Sequence, residues 1–188
     1  MTRRFLDDIK EDIAQLWPNN ITGAISPADL RGPVLDMVDS LKQDECELEG
    51  SAPTVGLALT GTFVSLTTVF DGESGGDGVF LKPDFANGVI VGATTAGFSY
   101  LITGDITVEA NNNETIELVV GVNGVPTGFI GALTGNSNND LSVSISHFVR
   151  TSESDAVYTL MARAADGAAT IDIQEASMIA IIWPTNNP

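Results

Sequence analysis

The sequence predicts a mainly β protein, an antiparallel β-sandwich of the jelly-roll type, preceded by a short helical segment. From residue 55 onward, β-branched and aromatic runs of five to ten residues are separated by Gly, Asn, Asp and Pro. Several runs alternate, as where Leu141, Val143 and Ile145 are interleaved with serines. No stretch with a helical period lies between these runs, which favours antiparallel sheets over a parallel one.

Residues 1–44 are predicted to form a helical attachment segment. The stretch FLDDIKEDIAQL places its apolar residues on one helical stripe, and a second helix begins at Ser26 with Pro27 in its first turn. The candidate docking face consists of Phe5, Leu6, Ile9, Ile13 and Trp17. Because two short helices are marginally stable alone, they need a partner. That partner is the β domain, further copies of the chain, or another protein.

The segment between the helices and the strands is predicted to be a linker. Residues 42–54, KQDECELEGSAPT, are acidic and end in small residues and proline. The expected organisation is therefore a helical segment at 1–44, a linker at 45–54 and a β domain at 55–188.

Charge and hydropathy exclude several classes of partner. Eight Lys and Arg against twenty-five Asp and Glu give a net charge of −17, which repels nucleic-acid phosphates and anionic lipid. No stretch of eighteen apolar residues exists, and the N-terminus turns acidic within seven residues, so neither membrane insertion nor a signal peptide is expected. Cys46 is the single cysteine, so no intramolecular disulfide forms.

The core of the stretch DGESGGDG (residues 71–78) is Gly-Glu-Ser-Gly-Gly, which differs by one letter from the GDSGG signature around the nucleophile of trypsin-like proteases. A nucleophilic Ser74 needs a base, and the single histidine, His147, follows it in the wrong order for that class. We therefore predict a solvated loop, no enzymatic activity and no cofactor. Calcium bound by Asp71, Glu73 and Asp77 is an alternative, although Lys82 stands where an EF-hand needs a glutamate.

Two stretches resemble a known family of β domains. The segment FSYLITGDITVEANNNETIELVVGVNGVP, beginning at Phe98, has a tyrosine-led strand, a polar Asn-rich hairpin and a strand that ends in a Val-Asn-Gly turn. It resembles the central strands of the trimeric jelly roll shared by tumour necrosis factor (TNF) and complement-type globular heads. The stretch AVYTLMARAADGAATIDIQEASMIAII is similar to the family's closing strands. The resemblance implies a homotrimer.

The N-terminal segment resembles a second group of proteins. NNITGAISPADLRGPVLDMVDSL, after a first helix, is similar to segments near the N-termini of tailed-phage virion proteins. The two resemblances together imply a capsid decoration protein or head fibre on the virion exterior, assembled in the host cytoplasm. Its N-terminal helices would dock on the major capsid protein or another virion protein. The alternative is a tail-fibre module that recognises a host-surface glycan or receptor.

A family-like trimer makes one specific demand on the sequence, because strands around a threefold axis are apolar on both faces. The candidate trimer core is Ile179, Ile181 and Trp183, in a continuous apolar run. Residues 89–91 form a second such run. A core strand of a monomer has the same pattern. Since three chains together carry −51, association is expected to weaken at low salt.

Overall fold

A computed structural model describes residues 44–76, 78, 80–110, 113–135, 140–150 and 152–183, with Phe129 and Trp183 described by their backbones alone. These residues belong to one compact unit that begins at Asp44. The predicted helical segment and its docking face, Phe5, Leu6, Ile9, Ile13 and Trp17, lie outside the described residues. In the part of the chain that is described, no helix is long and apolar enough to cross a bilayer.

Twelve strands are present among the described residues. They are β1 Glu45–Gly50, β2 Thr54–Thr60, β3 Val64–Ser65, β4 Gly72–Gly75, β5 Leu81–Asp84, β6 Val89–Gly92, β7 Ser99–Glu109, β8 Thr115–Val122, β9 Val125–Thr134, β10 Asp140–Val149, β11 Val157–Ala164 and β12 Ala168–Trp183. The strands predicted from the alternating and β-branched runs are all found, although the run at residues 62–70 contributes only the two residues of β3.

The strands form two antiparallel sheets. Sheet A has the order β10-β7-β12-β1-β4, with β2 paired to the first part of the long strand β12. Sheet B has the order β5-β6-β11-β8-β9, with β3 also paired to β11. The chain crosses between the sheets eight times among the described strands, after β2, β3, β4, β6, β7, β9, β10 and β11. This arrangement confirms the predicted mainly β sandwich.

The Asn-rich connection predicted as a hairpin is instead a crossover. It joins β7 in sheet A to β8 in sheet B, and these two strands share no ladder. The physical reason is that β7 and β8 lie on opposite sides of one core, and each points its apolar residues into that core. The Val-Asn-Gly turn after β8 does make a hairpin, and Asn123 (φ 51°) and Gly124 (φ 76°) adopt the left-handed conformation that a two-residue turn requires.

The core lies between the sheets, where inward residues of both meet. Leu48, Ile102 and Leu160 have no exposed surface, and the rings of Tyr100 and Tyr158 pack 5.5 Å apart. Strand β10 shows the predicted alternation, with Val143 and Ile145 buried and the serines between them exposed. Period two therefore identifies the buried face of this strand correctly.

The predicted linker is wrong for residues 45–50, which form strand β1 inside sheet A. Its register with β12 runs from Glu45 opposite Ile181 to Gly50 opposite Ala176. Cys46 and Leu48 point into the core, while the glutamates between them point outward. The acidity that indicated a linker belongs to only one face of a strand, so the β domain begins at Asp44.

The predicted loop at DGESGGDG is also partly wrong, because Gly72–Gly75 form the short edge strand β4. This strand pairs with β1, and Ser74 stands opposite Glu47. Glycine-rich composition favours a loop, but the neighbouring strand supplies the hydrogen bonds that hold these residues extended.

Candidate association surface on sheet A

The outward face of β12 carries two of the three residues predicted for a trimer core. Met178, Ala180 and Ile182 point into the core and are buried. Ile179 and Ile181 alternate with them, so they point away from the core, where they are half-buried. Trp183 ends the strand, and its side chain lies outside the described part of the structure.

Register places two further apolar residues beside them. Leu101 on β7 stands opposite Ile181 on one side and Phe148 of β10 on the other. Phe148 keeps 45% of its surface exposed although it is a large aromatic side chain. The four residues Leu101, Phe148, Ile179 and Ile181, named here the apolar patch, lie together on the outer face of sheet A.

Sequence reasoning did not identify Leu101 and Phe148 as part of this surface. The signal was present, because each belongs to consecutive apolar residues in a strand that otherwise alternates: Tyr-Leu-Ile at 100–102 and Phe-Val at 148–149. In a strand with one face toward solvent, two consecutive apolar residues cannot both face the core, so one of them points outward. Only the register shows that the outward residues of three strands meet.

The rest of the outer face is acidic and hydroxylic. Glu45, Glu47 and Glu49 project from β1 and line the patch along one side, in register with Ile181, Ile179 and Ser177. Asp105 of β7 stands opposite Ser177 from the other side. We name Glu45, Glu47, Glu49 and Asp105 the acidic border. Within it, the Ser177 hydroxyl donates to Glu47 Oε1 at 3.0 Å.

A shallow hollow of about 220 Å³ opens in this face beside the acidic border. It lies where the β7–β12 ladder shifts register between Ile173 and Glu175, and its acidic lining residues are Glu49, Asp105 and Glu175. Among the described residues, no three side chains of metal-binding type are grouped closely enough to hold an ion. The hollow coincides with the bulge in the β7–β12 ladder.

The serine and histidine considered for nucleophilic chemistry are far apart. Ser74 lies on β4 and His147 on β10, at opposite edges of sheet A. Four inter-strand spacings of about 4.8 Å put roughly 19 Å between them. Ser74 is exposed on the outer face, whereas His147 stands on the inward side of β10, where burial lowers its pKa. They cannot act as nucleophile and base for each other.

The carboxylates considered for calcium serve separate structural purposes. Asp71 accepts hydrogen bonds from the Ser51 N–H, the Ser51 hydroxyl and the Ala52 N–H, and the first of these does most to lower its pKa. Glu73 Oε2 accepts from the Phe85 N–H at 2.8 Å. Asp77 lies outside the described residues. The hydrogen bonds of Asp71 therefore stabilise the β1–β2 connection, and the hydrogen bond of Glu73 stabilises the turn after β5.

Cys46 lies under the acidic border, on the inward side of β1. Its burial, together with the nearby charges of Asp44 and Glu73, raises the pKa of the thiol from 9.0 to about 12. The thiol is thus protonated at neutral pH and behaves as a small apolar side chain of the core.

The second apolar run of the sequence lies on the other sheet. Ile90 of β6 is fully buried, and Val89 and Val91 are half-buried on either side of it. Because β6 belongs to sheet B, this run does not extend the apolar patch.

Solved structures resemble this arrangement of strands. The TNF protein Eiger of S. frugiperda aligns with 78% of this chain and 96% of its own, at 12% identity and a TM-score of 0.51. The described domain has a TNF-type jelly-roll fold. The globular domain of zebrafish complement 1qA protein aligns with 73% of this chain and 94% of its own, at 11% identity and a TM-score of 0.49. Murine APRIL at pH 5.0 aligns with 75% of this chain and 98% of its own, at 13% identity and a TM-score of 0.49.

Identities this low establish the fold of the TNF-type domain alone. No known protein-family profile matches the chain, and no curated protein sequence matches it. The function of this TNF-type jelly roll therefore has to be argued from its own surfaces.

Proposed function

We propose that this chain is a non-enzymatic structural protein of a tailed-phage virion. It forms a homotrimer through the apolar patch, its N-terminal helices anchor it to the major capsid or another virion protein, and its β domain is displayed on the exterior. The single observation that carries the homotrimer is the apolar patch, because the outer face of an antiparallel sheet is commonly solvated and polar in a monomer. The virion setting is supported by the resemblance of residues 19–41 to phage virion segments.

Burial of the apolar patch supplies the driving force for association. Leu101, Ile179 and Ile181 are already half-buried, and Phe148 is nearly half exposed. Aromatic and aliphatic side chains grouped at the centre of a face are the usual anchors of protein interfaces. A second copy that covers the patch removes this apolar surface from water, at roughly 25 cal/mol for each Å².

The poles of the β domain support an anchored and displayed arrangement. The Ile182 N–H donates to the Asp44 carbonyl at 2.9 Å, so the domain begins beside the end of β12. At the other end of the strands, the β11–β12 turn meets the start of β8, where the Ala165 N–H donates to the Thr115 carbonyl. The turns near Thr115 and Asp166 therefore lie at the pole of the β domain opposite Asp44.

The oligomeric state tests the trimer directly. In moderate salt, light scattering behind a sizing column should give three times the 19.7 kDa of one chain. Ile181→Asp should yield a monomer, because it places a carboxylate in the apolar patch opposite Glu45. The matched control is Val125→Asp, which changes an exposed valine at the start of β9 in sheet B and should leave the trimer intact. A trimer that survives Ile181→Asp contradicts this interface.

Labelling of intact particles tests the virion setting. Antibody against the β domain that decorates the head in many copies supports a capsid decoration protein or head fibre. A few copies at the tail support the alternative, a module whose displayed turns recognise a host-surface glycan or receptor. That alternative is favoured by the polar, loop-rich pole near Thr115 and Asp166, since exposed loops on a rigid scaffold commonly carry recognition. Particles without label contradict both.

A further inference from the structure

The two sheets differ in charge. The strands of sheet A contain nine acidic residues and no lysine or arginine, and its one histidine, His147, faces inward. The acidic residues are Glu45, Glu47, Glu49, Glu73, Asp105, Glu109, Asp140, Asp172 and Glu175. The strands of sheet B contain Asp84, Glu117, Lys82 and Arg163, which balance one another. Negative charge is therefore concentrated on the sheet that bears the apolar patch.

Among the described residues, little neutralises the acidic border. Arg163 pairs with Glu117 at 2.5 Å and stacks over Phe63, on the other sheet. Asp172 accepts from the Gly56 N–H and Glu73 from the Phe85 N–H, so two of the nine carboxylates have backbone partners. In the acidic border, a hydroxyl donates to Glu47, and a hydroxyl offsets a carboxylate's charge far less than a cation does.

The position of these charges matters more than their number. Register sets Glu45 beside Ile181 and Glu47 beside Ile179, so two carboxylates directly adjoin the apolar patch. Asp105 and Glu49 flank Ser177 one row further along the sheet. Any copy that covers the patch brings its own net charge of −17 against these carboxylates. Burial of apolar surface therefore favours the contact between copies, whereas repulsion between these carboxylates and the charge of the second copy opposes it.

We propose that the acidic border makes the association of copies depend on ionic strength. Copies join through the apolar patch when dissolved ions screen Glu45, Glu47, Glu49 and Asp105, and they separate when screening is lost. This inference rests on the proposed homotrimer and adds its regulation. Since the screening length falls from about 30 Å at 0.01 M salt to about 3 Å at 1 M, the change spans the dimensions of the face.

The test measures the chain concentration at which half of the full-length protein is trimeric, from about 10 mM to about 1 M NaCl. For the unaltered chain, this midpoint should fall at least about tenfold as salt rises. The border variant, Glu45→Gln with Glu47→Gln and Glu49→Gln, should show a change of less than about threefold and should assemble readily at low salt. Glutamine at position 47 still offers an oxygen to the Ser177 hydroxyl.

The matched control removes the same three charges elsewhere. Glu114→Gln, Glu153→Gln and Asp155→Asn lie outside sheet A, and Asn suits the positive φ of residue 155. This control has the same net charge as the border variant but should keep the salt dependence of the unaltered chain. Matching circular dichroism spectra and a cooperative thermal transition in each variant show that the variants are folded.

The outcomes distinguish a failure of the electrostatic inference from a failure of the proposed homotrimer on which it rests. A monomer at every salt concentration overturns both. A trimer whose midpoint does not move with salt, or that weakens as salt rises, overturns the electrostatic inference and leaves the trimer standing. Weakening would mean that the carboxylates attract cationic groups of a neighbouring copy. Equal behaviour of the border variant and its control also overturns the role of these residues.

Discussion

At the scale of single residues, two buried tyrosines at the centre of the sandwich differ in how their hydroxyls are satisfied. The Tyr100 hydroxyl accepts from the Ala93 N–H at 2.9 Å and lies 3.4 Å from the Phe80 carbonyl. The Tyr158 hydroxyl is buried without a hydrogen-bond partner in the described structure. Burial raises the pKa of both phenols. Tyr100 thus ties the connections before β7 to the core, whereas Tyr158 contributes through its ring.

This difference predicts opposite sensitivity to the loss of a hydroxyl. Tyr100→Phe leaves the buried Ala93 N–H unpaired and should lower the free energy of unfolding by about 1–3 kcal/mol. Tyr158→Phe, the matched control, removes a hydroxyl that was already unpaired and should be neutral or stabilising. Urea unfolding of the two variants measures both values. A larger loss for Tyr158→Phe contradicts the hydrogen-bond assignment.

At the scale of elements, β1 decides where the β domain begins. It pairs with β12 on one side and β4 on the other, so it is an interior strand of sheet A. Its removal would expose the inward face beside Leu48 and leave β4 without a neighbour. The strand is therefore required for the fold in spite of its acidic composition.

Two comparisons test this placement of β1. Leu48→Ala should cost about 2–5 kcal/mol, because it opens a cavity at a fully buried site, while Glu49→Ala on the exposed side should cost less than about 0.5 kcal/mol. A fragment of residues 44–188 should unfold cooperatively on heating, and one of residues 55–188 should not fold. A stable, cooperative 55–188 fragment would restore the linker at 45–54.

At the scale of the whole molecule, the apolar patch links stability to assembly. If trimers form through the patch, only the folded state binds its neighbours, and mass action stabilises it as concentration rises. The melting temperature should therefore increase with protein concentration in moderate salt. For Ile181→Asp it should not change with concentration, and scanning calorimetry over a hundredfold range distinguishes the two. A concentration-independent melting temperature for the unaltered chain argues for a monomer.

Part of the candidate surface was readable from the sequence. The run at 179–183 predicted outward apolar residues, and Ile179 and Ile181 do lie on the outer face, because strand alternation is a local property. Leu101 and Phe148 were missed, since they belong to other strands and become neighbours only through long-range register. The docking face of residues 5–17 stays a prediction, because it lies outside the described residues.

By itself, the sequence determined the β class, most strands, the Val-Asn-Gly turn and the excess of negative charge, because each depends on composition or on residues close together in the chain. The tertiary structure decided the rest. Pairing with β12 turned the acidic stretch at 45–50 into a strand, and pairing with β1 did the same for residues 72–75. The residues of these two stretches do not favour an extended strand conformation by themselves. Their partners are distant in sequence, and those pairings also set the carboxylates beside the apolar patch.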